Sequence, residues 1–555
     1  MVAATESDLS DSTLAVPGAT DPEKKPQRLS ESPSRGEQLE EHQREEVQEK
    51  LEGPKITPDG KRVLKEDECY DELGFKFPAW KKWTILTVIF LVQMSMNFNS
   101  SVITGAISPI TEKYGVSKQY ARISQMIMLV FYAFGCELWA PWSEEFGRWP
   151  ILQLSLFLCN IWQLPCALAP NLGSIFVGRA LIGLSSAGGS VTLGMVADMW
   201  EADNQQYAVA YVVLSSVGGS TIGAVFNGII QERLGLDWIF WMQLVVGVAT
   251  QVAHFFLVPE TRATVMMDKI AKKRRKAAEE GKGDPENKNL YGPNEVKKPR
   301  INMKEFSEIW CRPFIMFVRE PIVLCLSLLS GFSDALIFTF FEGWQPVYDQ
   351  YDFTPTQLGW AFWAVEIGYL IAYFSFFPFI ARDNHIRKRD PDALQPERRL
   401  LWLLFMAPLE PIGLFCFAWT STGPPIPWIV PTIFGGMIGA ANYAIYHATI
   451  DYMIASYGPY SASATGGNGF ARDFLAGISA MYASPLYSNL EPKPLPYAST
   501  LLACLAVLVT IPIYIFYWKG PVIRERSKFA QTLAADRKAH KGRRASQVNT
   551  TATEA

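Results

Sequence analysis

Long apolar stretches alternate with short polar connections over most of the chain. Each stretch is about 20 residues long, the length that a helix needs to cross a hydrocarbon core about 30 Å thick. We therefore predict twelve membrane-spanning helices, numbered span 1 to span 12. The predicted spans are residues 83–105, 122–142, 150–169, 172–199, 207–230, 238–258, 321–343, 356–380, 399–420, 428–455, 464–486 and 497–518.

A long polar segment separates span 6 from span 7 and divides the spans six plus six. The segment before span 1 is rich in Glu, Lys, Pro, Ser and Gln, a composition typical of disordered chains. We predict an all-α membrane protein with two six-helix bundles and disordered polar tails. Its predicted parts are the cytoplasmic N-terminal tail 1–82, the N-terminal bundle 83–258, the cytoplasmic linker loop 259–320, the C-terminal bundle 321–518 and the cytoplasmic C-terminal tail 519–555.

Spans 4 and 10 carry identical residues at equal spacing when the chain is shifted by 253 positions. The pairs are Gly183 with Gly436, Ala187 with Ala440, and Asp198 with Asp451. Together with the six-plus-six division, these matches favour two related bundles around an axis normal to the membrane.

Lysine and arginine are concentrated on one side of the predicted spans. Arg148, the basic run 269–276 and the run 387–389 all fall on the side that holds both termini. By the positive-inside rule we expect this side to face the cytoplasm. We expect a multi-pass protein of the plasma membrane, with the vacuolar membrane as the alternative.

The bulk composition excludes several classes of function. The formal net charge of −3 gives no sign of a nucleic-acid-binding surface. The eight cysteines lie mostly inside apolar spans and have no metal-binding spacing. The sequence shows no Ser/His/Asp set and no nucleotide-binding loop. We expect a monomer that is not an enzyme, with no metal and no cofactor.

The connection between spans 2 and 3 reads APWSEEFGRWP, residues 140–150. It places an acid, Glu144, and a base, Arg148, on either side of Gly147. Such a turn can anchor two helix ends by charge-assisted hydrogen bonds. The pattern resembles the inner-loop signature of the major facilitator superfamily, from which Ala140 and Trp149 depart.

A second resemblance lies in span 4. The stretch GRALIGLSSAGG, residues 178–189, is similar to the drug/proton antiporter motif of the same family, which Arg179 and Gly183 match. In the family this arginine is implicated in proton coupling. The alternative is a structural arginine that is hydrogen-bonded to backbone carbonyl groups.

A third resemblance lies in span 5, where VGGSTIGAVFNG, residues 217–228, resembles the antiporter signature of that span. Ala224 stands at the proline position of the signature, and a kink is lost with the proline. Close packing of spans 5 and 8 explains the glycines equally well. The glycines that we assign to helix packing are Gly183, Gly219, Gly223 and Gly228.

Three further stretches resemble the fungal DHA1-type branch of drug:H⁺ antiporters. They are VPET at 258–261, IDYMIASYGPYSASATGGNGFARDFL at 450–475, and GPVIRERSKFA at 520–530. The resemblance covers about residues 80–530. It implies twelve spans, of which 1, 4, 7 and 10 line a central cavity.

Ionisable residues inside membrane spans are costly and mark functional sites. Coupling to a proton gradient needs a carboxylate that is protonated in one cavity state and ionised in another. The residues that we predict for proton coupling are Glu137, Arg179, Asp334 and Glu366.

Aromatic and amide side chains on or near the lining spans suit an apolar or cationic substrate, because aromatic rings bind cations. The predicted substrate-binding residues are Asn97, Asn99, Gln125, Phe338, Trp360, Trp363, Asn442, Tyr443 and His447. The residues predicted for the inner gate and its loop are Glu144, Gly147, Arg148, Asp198, Asp451, Arg472 and Asp473.

We expect a secondary active exporter that exchanges drug-like compounds or secondary metabolites for protons by alternating access. Its partners would be the small-molecule substrate, protons and the lipid bilayer. The first alternative is H⁺-coupled uptake of a small nutrient such as a polyamine, a vitamin or an organic acid. The second is a membrane sensor that has this fold but transports nothing.

Overall fold

All twelve predicted spans correspond to helices in a computed structural model of the protein. The structure describes residues 56–57, 59–186, 188–201, 204–297, 303–389, 395–457 and 460–527. The predicted tail residues 1–55 and 528–555 lie outside this part of the chain.

Seven spans are each one uninterrupted α-helix. They are Lys118–Phe146 (span 2), Gln206–Arg233 (span 5), Leu236–Leu257 (span 6), Pro321–Tyr348 (span 7), Ile429–Tyr457 (span 10), Ser461–Asn489 (span 11) and Pro494–Glu525 (span 12).

The other five spans are interrupted. Their α-helices are Ala79–Ser101 and Ile107–Tyr114 in span 1, Arg148–Ile161 and Gln163–Ala167 in span 3, Leu172–Ser185 and Gly188–Met199 in span 4, Pro355–Ala361 and Trp363–Arg389 in span 8, and Leu401–Met406 and Leu409–Thr420 in span 9. Short 3₁₀ helices adjoin spans 1, 7 and 9, at Val102–Ala106, Asp349–Tyr351 and Pro396–Leu400.

Within the described residues, ten helical segments are long and apolar enough to cross a membrane. Span 4 is divided into two shorter helices after Ser185. Span 11, which is not among the ten, carries the buried charges Arg472 and Asp473. Large apolar side chains such as Phe256 and Leu508 are exposed on the outside of the bundle. A surface of this kind suits contact with lipid, which is itself apolar.

Gly183 on span 4 and Gly436 on span 10, which match in the sequence, occupy equivalent packing positions in the structure. A Cβ atom on Gly183 would lie 2.3 Å from a backbone oxygen of span 2, and one on Gly436 would lie 2.6 Å from a backbone oxygen of span 8. Each glycine thus lets its span approach the corresponding neighbour in its own bundle. Ala187, the third position of the comparison, lies outside the described residues.

The linker between spans 6 and 7 is largely helical, which differs from the predicted loop. The side of the bundle on which this linker lies also holds the loops between spans 2 and 3 and between spans 4 and 5. We call it the linker side. The linker elements are the first linker helix Ala263–Glu279, a 3₁₀ helix Pro285–Asn289, strand β2 Leu290–Tyr291, a short helix Pro293–Val296 and the second linker helix Met303–Arg319.

The end of the N-terminal tail is folded, whereas disorder was predicted up to residue 82. Residues 59–78, which we call the N-terminal cap, contain strand β1 (Arg62–Val63), and β1 pairs in parallel with β2 of the linker. Three 3₁₀ helices follow in the cap, Glu66–Glu68, Tyr70–Glu72 and Gly74–Lys76.

A small hydrophobic core of its own holds the N-terminal cap on the linker. The cap contributes Leu64, Cys69 and Leu73 to this core, and the linker contributes Met267, Ile270, Ala271 and Leu290. The three residues of the first linker helix recur at spacings of three and four, so they share one face of that helix. Only a few apolar residues of the tail take part in this core. The composition of the tail as a whole is therefore polar and does not indicate a folded segment.

Cys69 provides a test of this folded cap. It is 2% exposed, and burial raises the pKa of its thiol to about 11. Because the thiolate is the reactive form, we expect maleimide at pH 8 to label Cys69 roughly a hundredfold more slowly than a cysteine introduced at exposed position 67 by Asp67→Cys. Labelling of Cys69 should accelerate as the pH rises towards 11. Peptide mass spectrometry measures both sites, and equal rates would contradict a folded cap.

Candidate functional site

Arg472 on span 11 is the centre of a group of charged side chains inside the bundle. Its guanidinium lies 2.7 Å from the carboxylate of Asp473 and 3.9 Å from that of Asp334 on span 7. It donates a hydrogen bond of 3.2 Å to the Ser216 hydroxyl on span 5 and lies 4.2 Å from the ring centroid of Tyr446 on span 10. Only 3% of Arg472 is exposed, so these charges interact in a medium of low dielectric constant.

A third carboxylate, Glu137 on span 2, faces the same group. A Cβ atom on Gly466 of span 11 would lie 2.8 Å from Glu137 Oε2, so the glycine makes room for this carboxylate. Glu137 is close enough to Asp473 for the two charges to interact. We call Glu137, Asp334, Arg472 and Asp473 the central charge cluster. Three carboxylates accompany one guanidinium, so negative charge is in excess when all four groups are ionised.

The central charge cluster connects the two bundles. Glu137 and the hydrogen-bonded Ser216 come from the N-terminal bundle, whereas the other three charged residues come from the C-terminal bundle. Gln93 on span 1 extends the network by donating a hydrogen bond of 3.3 Å to Ser216. Charged groups of both halves therefore meet at one place in the protein interior.

The position of Arg472 and Asp473 differs from the prediction. The two residues were assigned to the inner gate, but they lie well inside span 11, whose helix begins at Ser461. Both side chains are buried and point to the centre of the bundle, where Asp334 meets them. They lie beside Asp334 and Glu137, two of the residues predicted for proton coupling.

Glu366, another residue predicted for proton coupling, lies at a separate point between the bundles. A Cβ atom on Gly218 of span 5 would lie 3.0 Å from Glu366 Oε1 on span 8. Its second carboxylate oxygen is buried without a hydrogen-bond partner in the described part of the chain. The structure therefore does not bring Glu366 into the central charge cluster.

Arg179, the fourth residue predicted for proton coupling, binds backbone groups. It is fully buried and donates hydrogen bonds to the carbonyl oxygen of Asn99 at 2.7 Å and to that of Ser124 at 3.4 Å. Among the described residues it forms no ion pair. This is the geometry of the structural alternative, in which the arginine ties span 4 to spans 1 and 2. The neighbouring Gln125 is buried, with both amide atoms unpartnered in the described chain.

Four of the predicted substrate-binding residues lie buried in the C-terminal bundle. Phe338 stands one helical turn after Asp334 on span 7. Asn442 donates a hydrogen bond of 3.1 Å to a span 7 serine, and Tyr443 stacks on the ring of His447 with centroids 5.9 Å apart. Phe338 and Asn442 thus lie beside the part of span 7 that carries Asp334, whereas Tyr443 and His447 pack with Trp402.

Two predicted substrate-binding residues lie on the outer surface. Trp360 is 56% exposed and Trp363 is 36% exposed, so neither is enclosed by the bundle. The sequence placed both in span 8 correctly, but it could not show which face of the helix is turned inward. The remaining residues, Asn97 and Asn99, are buried on span 1. Asn97 donates its side-chain amide to a carbonyl of its own helix, and Asn99 Oδ1 has no hydrogen-bond partner among the described residues.

On the linker side, Arg148 joins three elements of the N-terminal bundle. Its guanidinium donates to Asp198 at the end of span 4 at 3.0 Å and to Ser143 at 2.6 Å. Glu260, from the VPET stretch, accepts hydrogen bonds from the backbone N–H groups of Arg148 and Trp149 at 2.9 and 3.3 Å. A carboxylate at a helix N-terminus is stabilised by the unpaired N–H groups and by the helix dipole.

The acid that we predicted in this loop is not the one that binds its backbone. Glu144 interacts electrostatically with Arg148, but the backbone N–H group of Arg148 donates its hydrogen bond to Glu260. Gly147 has a φ of +104°, and a Cβ atom there would lie 2.3 Å from the Glu260 carboxylate. The role of Glu260 was missed because it lies over 100 residues away; the signal in the sequence was the VPET elbow.

The corresponding aspartate of the C-terminal bundle has a similar partner. Asp451 at the end of span 10 pairs with Arg399 at 2.5 Å, as Asp198 pairs with Arg148. Asp451 also accepts a hydrogen bond of 2.9 Å from Gln206 of span 5. This second contact crosses between the bundles on the linker side.

An ion pair that the sequence analysis did not identify closes the other side of the interface. Arg122 of span 2 and Glu342 of span 7 lie 2.8 Å apart, with 11% and 7% of their side chains exposed. Gln119 donates a hydrogen bond of 2.6 Å to the carbonyl of Met481 on span 11 nearby. The signal was an acid inside predicted span 7 and a base at the first position of predicted span 2. Their pairing across the bundles was not visible.

Residues 89–481 match the family model described as the Major Facilitator Superfamily. The chain belongs to the Major Facilitator Superfamily. It is a multi-pass membrane transporter that binds a small-molecule substrate, and its relatives are transporters rather than enzymes.

Two fungal relatives and one solved structure illustrate this membership. The chain is 30% identical over 457 residues to the MFS-type transporter paaT of Penicillium rubens, a match that covers 81% of this chain and 80% of the relative. It is 27% identical over 463 residues to the ascochitine biosynthesis cluster MFS transporter of Didymella fabae, covering 82% and 87%. The xylose transporter XylE from E. coli, in a partially occluded inward-open conformation, has the same fold, with a TM-score of 0.51 and 15% identity over 79% of this chain and 99% of XylE.

The glycines of span 5 lie at close helix contacts within this MFS fold. Cβ atoms on Gly219 and Gly223 would lie 2.6 and 2.2 Å from atoms of span 1. One on Gly228 would lie 2.0 Å from a backbone oxygen at the start of span 8. We predicted packing of span 5 on span 8, but two of the three glycines face span 1. Each position admits a helix neighbour that a larger residue would exclude.

The Glu260 contact in this MFS transporter can be tested by Glu260→Ala. Loss of a side chain that binds helix N-terminal N–H groups costs about 1–2 kcal/mol, so we expect a lower unfolding temperature in detergent. Glu279→Ala, which removes an exposed acid of the first linker helix, is the matched control and should leave the temperature unchanged. Equal effects of the two variants would contradict the assigned contact.

The central charge cluster predicts a strong coupling between Arg472 and Asp473. Removing one partner of a buried ion pair costs about 3–5 kcal/mol, so Arg472→Gln should strongly lower the unfolding temperature. Asp473→Asn should partly restore it in the double variant, because the two side chains interact directly. Thermal unfolding of the wild type, both single variants and the double variant gives the interaction energy. Additive losses would show that the two residues are independent.

Proposed function

We propose that this MFS transporter is a proton-coupled exporter of small organic molecules. It exchanges drug-like compounds or secondary metabolites for protons by alternating access and belongs to the fungal DHA1-type branch. The observation that carries the proposal is the central charge cluster between the two bundles, in which Asp473 and Asp334 pair with one guanidinium and the third carboxylate, Glu137, interacts with Asp473.

Excess negative charge at this position demands a neutralising partner. Uncompensated charge in a low-dielectric interior is costly. A proton or the cationic group of a substrate removes that cost, and the two compete for the same carboxylates. This competition is the physical basis of exchange, because binding of one cation favours release of the other.

Asp334 is our candidate for the carboxylate that takes up and releases the proton. Its contact with Arg472 is 3.9 Å, whereas Asp473 holds the same guanidinium at 2.7 Å. The side chain of Asp334 is also the more exposed of the two, at 14% against 6%. Asp473 therefore holds the arginine in place, while Asp334 and Glu137 are freer to exchange protons. Glu366 supplies a further protonation site at the contact between spans 5 and 8.

The substrate site lies beside this cluster in our proposal. Phe338 shares a face of span 7 with Asp334, since the two are four residues apart. Tyr446 and Asn442 provide an aromatic face and an amide on span 10. An aromatic ring near a carboxylate suits a substrate with an apolar body and a cationic group.

Contacts on both sides of the cluster fit alternating access. On the linker side, Gln206 binds Asp451, and the hydroxyl of Tyr443 donates to a span 5 carbonyl at 3.0 Å. On the other side, Arg122 binds Glu342. Opening towards either side breaks one set and keeps the other.

The charge distribution supports a cytoplasmic linker side, with both termini in the cytoplasm. We place the protein in the plasma membrane as a monomer. The name of the ascochitine cluster relative supports a secondary metabolite as the substrate.

Transport into inside-out vesicles tests this proposal. The vesicles carry an acidic lumen, and the probes are a fluorescent aromatic cation and a set of aromatic organic acids. We expect accumulation of a probe in the lumen that collapses when the pH gradient is dissipated. If substrate moves only in the same direction as protons, the proposal of export is wrong and proton-coupled uptake takes its place.

The assigned carboxylates can be tested in the same vesicles. We expect Asp334→Asn and Glu366→Gln to abolish accumulation driven by the pH gradient, since each removes a site that can release a proton. Glu410→Gln is the matched control, because Glu410 is a buried acid that accepts a hydrogen bond from Ser333 within the C-terminal bundle.

The expression level at the membrane should be the same in all three variants. Accumulation at the wild-type level in both Asp334→Asn and Glu366→Gln would remove these residues from the coupling mechanism. Equal loss in Glu410→Gln would show a general effect of altering buried acids rather than a specific role in coupling.

A further inference from the structure

The N-terminal cap is fastened to the first linker helix by three kinds of contact. Strand β1 pairs with β2, and a small core of buried apolar residues lies between cap and helix. Arg274 of the helix binds the carboxylate of Glu72 at 2.6 Å and reaches the carbonyl of Glu68. Arg275 completes the linker's own fold by pairing with Glu295 at 3.1 Å. Cap and linker therefore form one folded unit.

This unit is also attached to the N-terminal bundle. The Tyr70 hydroxyl donates a hydrogen bond of 3.0 Å to Glu201 in the loop after span 4. A Cβ atom on Gly74 would lie 2.8 Å from the backbone oxygen of Asp198, so the cap backbone rests on the end of span 4. At the far end of the unit, Lys297 binds Glu145 of the loop between spans 2 and 3 at 2.5 Å. Linker residues 263–297 are thus held on the N-terminal bundle.

The second linker helix packs mainly on the C-terminal bundle, and its Phe314 ring also lies 6.5 Å from that of Phe134 on span 2, measured between centroids. The ring of Phe314 contacts that of Phe470 on span 11, with centroids 4.9 Å apart. A Cβ atom on Gly467 of the same span would lie 3.1 Å from the backbone oxygen of Pro313. Residues 263–297 are held on the N-terminal bundle through the cap and Lys297, whereas this helix packs mainly on spans 7 and 11 of the C-terminal bundle.

Only a short stretch of sequence separates these two parts of the linker. Residues 298–302 stand between them and lie outside the described part of the chain. The six peptide units from Lys297 to Met303 can span at most about 20 Å. A 62-residue linker that was free along its length would allow a far wider separation.

We propose that the N-terminal cap is an intramolecular clamp. It shortens the part of the linker that is free between the two bundles to the short stretch before the second linker helix. By holding residues 263–297 on the N-terminal bundle, the clamp limits how far the two bundles separate on the linker side. Release of the clamp lengthens the effective connection severalfold and allows a wider opening. The clamp depends neither on proton coupling nor on the direction of transport, so failure of either leaves it standing.

Hydrogen exchange followed by mass spectrometry tests the clamp in the full-length protein. Leu73→Asp puts a charge into the buried core of the cap, where an unpaired carboxylate is unfavourable. We expect exchange in the cap and in the first linker helix to rise at least about tenfold, because local opening exposes these amides. The matched control is Asp67→Arg, which reverses an exposed acid of the same segment and should leave exchange unchanged.

The region that distinguishes the clamp from a merely local structural element lies on the C-terminal bundle. If the clamp limits separation, Leu73→Asp also raises exchange at the linker-side residues 396–403 and 448–457 of the C-terminal bundle, which pack near the contact of Gln206 with Asp451. A rise confined to the cap and the first linker helix would show a merely local structural element and overturn the proposal. Unchanged exchange in the first linker helix would overturn it as well.

A charge reversal keeps the test valid if Leu73→Asp fails to reach the membrane. Glu72→Arg places two cations against each other and should raise exchange in the same regions, by a smaller factor of about two to five, because the pair is partly exposed. The double variant Glu72→Arg/Arg274→Glu restores opposite charges and should return exchange to the wild-type level. Failure of the double variant to restore it would contradict the assigned contact and the clamp with it.

Discussion

The burial of a guanidinium among carboxylates in the middle of the bundle is the constraint on which the arrangement of the spans depends. Arg472 cannot leave water without partners, and one aspartate on its own helix does not satisfy all of its donors. Ser216 accepts a further hydrogen bond and Asp334 is a second ion-pair partner at 3.9 Å, and these two residues come from opposite bundles. The two halves must therefore meet at this depth. Small residues at the close helix contacts, such as Gly466 beside Glu137, permit that approach.

Charge is distributed in layers along the interface between the bundles. On the side away from the linker, Arg122 and Glu342 balance each other, and on the linker side Arg399 balances Asp451. The unbalanced carboxylates lie between these two neutral layers. Opening either of these neutral layers leaves no unpaired charge on the linker side and no change in the net charge of the protein, which suits contacts that open and close. A site that exchanges cations needs the opposite property, because its charge must change with occupancy.

Much of the fold follows from local patterns in the sequence. Span length, the division at the linker and the presence of small residues for close packing can be read from short windows of sequence. The helix that each glycine faces cannot, since Gly228 meets Pro355 at the start of span 8. Residues that act through distant partners were not predictable in the same way. Glu260 binds the start of span 3, and Arg122 finds Glu342 across the interface, over separations of more than 100 residues. Trp360 shows the other limit, since a span that is apolar all round does not reveal its inner face.

Each bundle has an aspartate–arginine pair on the linker side, but the two aspartates have different further contacts. Asp198 binds Arg148 and lies against the cap, so all of these contacts belong to the N-terminal bundle and the parts fastened to it. Asp451 binds Arg399 in the same manner, yet it also accepts a hydrogen bond from Gln206 of the other bundle. In the proposed opening of the linker side, Asp451 keeps its arginine and loses the contact with Gln206. The N-terminal bundle thus carries the added contacts of the cap, whereas Asp451 of the C-terminal bundle is the aspartate that joins the two halves.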